Sequence, residues 1–353
     1  MLRKEFLEIV DRACRDQLPA GHRAENVPFA GKVLILGGDW QQLLPVVSGE
    51  GLAAQTSACV KSSDLFSLFR TVRLIQNMRV HPNEIAFLRL LGTVGADTGP
   101  KRGRFIVPPA MRETSVDALI DFVYDQGAIL NDPLRLSGCM LLALKRADVR
   151  LLNDRILEML PGQAQEFLSA DAAIDDNPLD TFAANHDVAT LNDVDVSSMP
   201  PHRLRLKIGA IIVLLRNIDV YRGLSNGTRM VVEHISHYYI VGRIIAGPYA
   251  GQQHMLQNYN FTYMDPRVDG SGIRMTRFQL PIMLAFAMTV NKAQGQTVER
   301  LGLYLRDNVF SHGQLYVALS RVRSADSLRI YMQDEDDLTT QLEVDNIVLR
   351  NLL

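Results

Sequence analysis

The 353 residues carry 37 Lys and Arg against 39 Asp and Glu, a formal charge of −2, and are 47% hydrophobic. That length and apolar content suit two or three packed domains, while the near-neutral balance excludes a basic body that holds nucleic acid by bulk charge. Any such contact has to come from local charge and stacking.

Taken along the chain, Cys14, Cys59 and Cys139 are odd in number and lack metal-ligand spacing, and the eight histidines form no ligand cluster, which suits reduced thiols rather than a disulfide framework or a zinc module. The first seventeen residues mix Arg3, Lys4, Arg12 and Arg15 with Glu5, Glu8, Asp11 and Asp16, a pattern unlike a transit peptide. They predict a helix over 1–17 with Leu2, Phe6, Ile9, Val10 and Ala13 on one face.

The run Val33, Leu34, Ile35, Leu36 reads as a buried strand of a parallel sheet, where ligands bind beyond the carboxyl ends of the strands. It leads into Gly37, Gly38, Asp39, Trp40, Gln41, Gln42, Leu43, Leu44, Pro45 and Val46. The glycines are expected to turn the backbone sharply. Asp39 suits fixing a metal-bound water or a neighbouring loop, and Gln42, with a donor and an acceptor, suits reporting on a terminal phosphate. Alone, the segment fits an ordinary Gly-Asp turn equally well.

A second polar cluster follows at Gln76, Asn77, Met78, Arg79 and Val80, and a helical link is expected over 83–91. The segment 95–102 (Gly95 to Arg102) has the wrong spacing for a phosphate loop, and its Pro100 removes a donor; it reads as a solvated turn. From about residue 138 a new domain is expected, with a strand at 140–144 and a helix at 149–160 closed by Pro161 and Gly162. Residues 171–198 are rich in Asp, Asn and Ala and read as a loop with weak structure.

Residues 204–275 change texture, with short β-rich runs at 208–215, 228–234 and 238–245 broken by Asn226-Gly227 and Gly247-Pro248. Turns at that spacing predict a small barrel or curled sheet. Arg203, Arg205, Lys207, Arg216, Arg222 and Arg229, interleaved with Tyr221, Tyr238 and Tyr239, suit tracking a phosphate backbone and stacking bases, or else a solvated face. The longest apolar run, 210–215, is too short to span a bilayer, so a membrane role is not expected. Residues 280–289 read as another covered strand entering a polar, helix-opening segment from Val290 to Thr297. Then Ser311-x-x-Gln314 reads as a capping box opening a helix that ends in Arg321.

In this order and spacing the four segments around Gln42, Arg79, Gln294 and Arg321 resemble the later motifs of the PIF-type DNA helicases, including the related helicases of Helitron transposons. The likeness runs from about residue 6 to about 332. It implies an α/β fold: the end of one RecA-like parallel-sheet domain over 1–80, a helical linker region over 81–137, and a second RecA-like domain over 138–203 and 276–353. A Src-homology-three-like β-barrel is implied as an insert over 204–275, carried by Leu206, Lys207, Ile208, Gly209 and by Asn226, Gly227, Thr228, Arg229.

The resemblance implies an ATP-driven motor that moves 5'-to-3' on single-stranded DNA and opens duplex junctions, with ATP and Mg2+ as its cofactors. Gln42 matches the residue that senses the terminal phosphate, Asp39 its neighbour, and Arg79 and Arg321 two arginines that reach the same phosphate. Gly38 and Gly295 fall in the nucleotide-facing motifs, and Thr289, Lys292, Gln294, Gly295 and Gln296 match the motif that couples the single-strand track to the nucleotide; Arg229 is placed on that track. A lower slope of log affinity against log salt in Arg229→Ala would support that contact. An intracellular setting is implied, nuclear first and mitochondrial second.

One departure stands against the match. Nowhere does Gly-x-x-x-x-Gly-Lys-Ser/Thr occur, the loop whose amides, lysine and hydroxyl hold phosphates and magnesium. The family's Asp-Glu pair ahead of the first helix is missing as well. The chain is therefore expected to be the C-terminal part of a helicase, without ATP hydrolysis of its own. The competing reading is a non-catalytic nucleic-acid-binding or interaction protein that kept the fold and lost the motor; retention of Gln42, Arg79 and Arg321 together favours the first.

Overall fold

The computed structural model describes residues 2–45, 47, 51–124, 136, 138–174, 187–196, 198–265, 272–333 and 342–353. Val46, much of the expected linker (125–135 and 137), and residues 175–186 and 197 of the expected loop lie outside them. The chain divides into two units. One comprises Met1–Glu113, Ala293–Thr297 and Leu305–Leu353; the other comprises Thr114–Lys292 and Val298–Tyr304.

The first unit opens with helix α1 (Lys4–Asp16), whose Glu5 in the first turn and Arg15 in the last complement its dipole. Its inner face is not the expected apolar stripe. Leu7 and Asp11 are buried, whereas Phe6 and Ile9 are 56% and 61% exposed. The reason is polar: the Asp11 carboxylate accepts the Phe29 N–H at 2.5 Å and pairs with Arg15, so satisfying the turn at Pro28–Gly31 sets the orientation of the helix.

The expected strand at 33–36 does not form, and Val33 and Ile35 are 91% and 89% exposed. A continuously apolar strand needs a ladder on each side and cover on both faces. Among the described residues no strand pairs with this segment, nor with residues 71–76, where Val72, Leu74 and Ile75 also face outward. The parallel sheet expected for the first eighty residues is therefore not found among them.

After helix α2 (Leu52–Ala58), helix α3 (Ile85–Ala96) stands where the link was expected. It closes on Asp97 in the left-handed conformation (φ 51°), and this residue is buried. The Asp97 carboxylate accepts the Gly103 N–H at 2.8 Å and pairs with Arg350 at 2.7 Å. The segment expected as a solvated turn thus begins as a packed cap. The Gln41 amide packs onto Gly95, where a Cβ would lie 2.7 Å from it and oblige that side chain to move. Strand β1 (Arg104–Ile106) ends this part.

The second unit has a parallel core. Helix α4 (Val116–Val123) is capped by Ser115, whose hydroxyl accepts the Ala118 N–H. Strand β2 (Cys139–Ala143) follows, and helix α5 (Arg146–Met159) returns from it. Met140, Leu141, Leu142 and Ala143 are fully buried, as a strand covered on both faces requires.

Strands β3 (Gln165–Leu168) and β4 (Ala170–Ala173), the short helix α6 (Val188–Asn192) and β5 (Arg203–Leu206) lead to a run of antiparallel strands. These are β6 (Ile211–Leu214), β7 (Arg229–Ile235), β8 (Tyr239–Ile244), β9 (Gln253–Gln257), β10 (Tyr259–Met264), β11 (Arg274–Gln279) and β12 (Ile282–Leu284). Five of them form the sheet β12-β6-β7-β8-β9, while β10-β11-β4 and β3-β5 form two smaller ones. Gly227, at φ 91°, makes the turn ahead of β7 that Asn226-Gly227 announced. The loop expected over 171–198 contains β4 and α6, and Asp171 is a buried partner of Arg277 at 2.7 Å.

The covered strand expected over 280–289 is two strands, β12 and then β13 (Ala287–Thr289), separated by a break at Ala285 and Phe286. Three buried side chains satisfy the backbone around that break. Tyr124 donates to the Phe286 carbonyl at 2.5 Å, Arg229 to those of Cys139 and Ala285 at 3.0 and 3.4 Å, and Asn153 exchanges bonds with Ala287. β13 pairs in parallel with β2, and β14 (Arg300–Leu305) pairs with it on the other side. The segment expected to open a helix after Thr289 is a series of turns over 290–295.

Back in the first unit, helix α7 (Gln314–Leu319) precedes β15 (Leu328–Met332) and β16 (Glu343–Asp345), which pairs antiparallel with β1. Among the described residues no helix is long and apolar enough to cross a membrane.

Candidate functional site

The turn at residues 39–42 and helix α7 meet inside the first unit. The glycines do not make the turn themselves: Gly38 is exposed, is not in a positive-φ conformation, and a Cβ there would meet nothing within 4 Å. The backbone reverses one step later, where the Gln42 N–H donates to the Asp39 carbonyl at 3.2 Å. The Asp39 carboxylate holds that turn by accepting the Gln41 N–H at 2.9 Å and the Gln42 Nε2 at 3.2 Å.

Helix α7 receives the turn closely. Its N-cap is Gly313, at φ 68°, and a Cβ there would collide with the Gln41 carbonyl and the Gln42 backbone, so glycine is required on both counts. The expected capping box does not form, because the N-cap is Gly313 and not Ser311. Gln314 accepts the Phe310 N–H at 3.1 Å, while no Ser311 side-chain cap is made.

Three residues in and around helix α7 then contact the site. His312 shares a 2.8 Å hydrogen bond with the Trp40 carbonyl, the Tyr316 hydroxyl donates to Asp39, and the Ser320 carbonyl accepts Arg79 Nη1 at 3.0 Å. Arg321 is buried beside them, donating to the Val317 and Gln296 carbonyls at 2.7 and 3.1 Å and to the Ser320 hydroxyl at 2.7 Å. Gln294 Nε2 donates to Gln42 Oε1 at 2.9 Å.

Gln42, Arg79, Gln294, Gln296 and Arg321, drawn from four separate stretches, are thus linked in one network with Asp39. The two guanidiniums bond carbonyl and hydroxyl oxygens, with no carboxylate among their partners in the described residues. Burial, and then the neighbouring charge of Arg79, push Arg321 down to about 10. Tyr316 is pushed up to about 12 by burial and by the Asp39 carboxylate, so it stays a neutral donor at physiological pH. Chemically, two cations in a partly dry setting, with an amide beside them, suit an anion with spread charge.

The remaining expected residues lie elsewhere. Gly295 occupies an exposed turn at φ 83°. Thr289 and Lys292 belong to the second unit; the Lys292 Nζ lies 3.4 Å from the Met283 sulfur, and burial, then the charge of Arg146, lower its pKa.

Arg229 is not on a surface at all. It is 6% exposed, its guanidinium serves the Cys139 and Ala285 carbonyls, and burial lowers its pKa, so it cannot present itself to a phosphate backbone. Sequence reasoning missed His312 and Tyr316. His312 stands ahead of the Gly313 cap and Tyr316 inside helix α7, so no helical period links the two.

Comparison with known proteins gives a consistent result. The family described as "PIF1-like helicase" matches residues 1–87, and "DNA helicase Pif1, 2B domain" matches residues 190–235. The ATP-dependent DNA helicase PIF1 of Danio rerio is 27% identical over 351 residues, covering 99% of this chain and 47% of that protein. The ATP-dependent DNA helicase Pif1 of Campylobacter jejuni is 32% identical over 345 residues, covering 93% of this chain and 71% of that protein. The fold is similar to that of Pif1 helicase from Bacteroides in complex with ADP-AlF3 and ssDNA, with a TM-score of 0.63 at 20% identity over 95% of this chain and 68% of that one. The chain spans about half the length of the vertebrate relatives it matches.

Proposed function

The chain belongs to the PIF1-like helicase family, and from that premise we propose that it carries the phosphate-sensing and strand-coupling part of an ATP-driven helicase that moves 5'-to-3' on single-stranded DNA and opens duplex junctions. The observation that carries the reading is the linkage of Gln42 to Gln294 together with the convergence of Arg79 and Arg321 on Ser320. Gln42 reads the terminal phosphate of ATP, and the two guanidiniums neutralise charge that spreads over its oxygens as the bond breaks.

The donor set fits a triphosphate. The charge of Arg79 that lowers the Arg321 pKa is offset when an anion arrives between the two guanidiniums. Magnesium fits less well: among the described residues Asp39 is the one carboxylate in the network, and it is already engaged by Gln41, Gln42 and Tyr316. ATP supplies the driving chemistry; the residues here position and sense it.

In this reading the Gln42–Gln294 bond lies on the route from nucleotide to DNA, with Thr289, Lys292, Gln294 and Gln296 on the coupling segment and Gly38 and Gly295 at its nucleotide-facing turns. Residues 1–80 form the end of a first RecA-like domain, 81–137 the linker, 138–203 and 276–353 a second RecA-like domain, and 204–275 the inserted Src-homology-three-like barrel. The antiparallel strands between β6 and β11 and the family match at 190–235 support the insert. Because the sequence holds no phosphate-binding loop, hydrolysis requires that loop from elsewhere.

The test uses the 353 residues alone and joined to an N-terminal segment that supplies a phosphate-binding loop. The chain alone should give no ATPase activity stimulated by single strands, while the joined protein should. In the latter Arg321→Ala should keep ATP binding and lose turnover about 10³-fold. Near-normal turnover in that variant would end the assignment of Arg321. Binding of single strands with no stimulated turnover in the joined protein would favour a non-catalytic binding protein instead.

A further inference from the structure

His312 is fully buried between three segments of the first unit. Its Nδ1 accepts the Leu349 N–H at 2.9 Å, and an imidazole that accepts at Nδ1 carries its proton on Nε2, which faces the Trp40 carbonyl at 2.8 Å. The ring therefore ties the turn bearing Gln42 to the start of α7 and to the C-terminal segment. Gly313, next in sequence, is where the same turn presses against the helix cap.

We propose that His312 is a positioning residue for Gln42, a neutral imidazole in the Nε2–H form that fixes the Trp40–Gln42 backbone against helix α7. The proposal rests on the reading of Gln42 as a phosphate sensor, but its own readouts need no nucleotide.

A second proton has to enter at Nδ1 and displaces the Leu349 bond, so protonation releases the clamp. Burial pushes the imidazole below its ordinary range, against the opposing pull of the Trp40 carbonyl and the Asp39 carboxylate. The groups around it are Asp39 on the turn, Tyr316 one turn along α7, and Arg350 beyond Leu349, whose guanidinium is engaged by Asp97. A histidine depressed by folding binds more protons unfolded than folded. Its contribution is complete above the ordinary histidine value of about 6.5 and is lost as pH falls below it toward the lowered one.

Trp40 is the only tryptophan of the chain, so its emission reports on the clamped turn directly. The wild-type chain should show one emission step with a midpoint below about pH 6.5. His312→Gln, whose amide nitrogen reaches the Nε2 position but leaves the Leu349 N–H without its acceptor, should give the low-pH emission at pH 7.5 and no step. His312→Asn, which can replace only Nδ1 and so loses the Trp40 bond itself, should shift the emission at pH 7.5 beyond the low-pH value, again with no step. A merely structural role would move the two variants alike, and equal behaviour, or a step that survives in either, overturns the proposal. Should both variants fail to fold, histidine-selective nitrogen spectra of the wild type decide it: a buried Nε2–H imidazole, unprotonated through the ordinary range, is required. In the joined protein His312→Asn and Gln42→Ala should lower turnover non-additively; additive losses alongside the expected emission changes would remove the role of Gln42 and leave the clamp standing.

Discussion

Arg321 and Arg229 are both buried arginines that donate to backbone carbonyls, yet they are different objects. Among the described residues Arg229 bonds fixed architecture: the carbonyls of Cys139 and Ala285, and beside them Tyr124, whose phenol burial lifts well above its ordinary range. Arg321 shares its surroundings with a second cation, Arg79, and with movable amides and a phenol. A buried cation that donates to backbone carbonyls serves as a structural strut, because those dipoles solvate its charge. A buried cation whose pKa is lowered by a second one beside it is poised for an anion.

The comparison can be broken by substitution. Removing the strut should cost most: Arg229→Ala orphans carbonyls at the break between β12 and β13, and an equilibrium denaturation should register about 3–5 kcal/mol. The same variant should leave the salt dependence of single-strand binding unchanged; a flatter slope would return Arg229 to the surface. Asp171→Asn in the buried Arg277 pair should cost a comparable about 3–5 kcal/mol by the same measurement, with no effect on the Trp40 emission.

Gly313→Ala should cost less, about 1–3 kcal/mol for the positive φ, and it should shift the Trp40 emission because the new methyl meets the Gln41 carbonyl. Smallest of all is Gln294→Ala, which removes one half-buried amide bond and should change stability by about 0.5–1.5 kcal/mol. In contrast to the struts, it should uncouple single-strand stimulation from hydrolysis in the joined protein. An Arg321→Ala protein more destabilised than Arg229→Ala would erase the distinction between the two arginines.

The strands of the second unit were readable because β2 is covered on both faces, leaving the unbroken apolar run at 140–143. The equally apolar run at 33–36 carries the same signal, but burial is a property of neighbours, and among the described residues none pairs with it. Gln42, Arg79 and Arg321 were legible through motif order. His312 and Tyr316 were not, since a single polar residue inside a motif has no period to announce its partner. Arg229 was misplaced because basic residues interleaved with tyrosines say nothing about which face of a strand points inward; β7 turns its first four residues in.

The stretches at 33–36 and 71–76 also bear on how the molecule behaves at high concentration. Each is extended and offers open backbone donors and acceptors flanked by side chains such as Ile35, Leu74 and Ile75, of which the last two are 94% and 96% exposed. Such ribbons template their own kind, copy upon copy, and self-association through them should set the solubility limit before unfolding does. Lysine at positions 35 and 75 should raise that limit, measured as turbidity against concentration, while leaving the melting temperature in place.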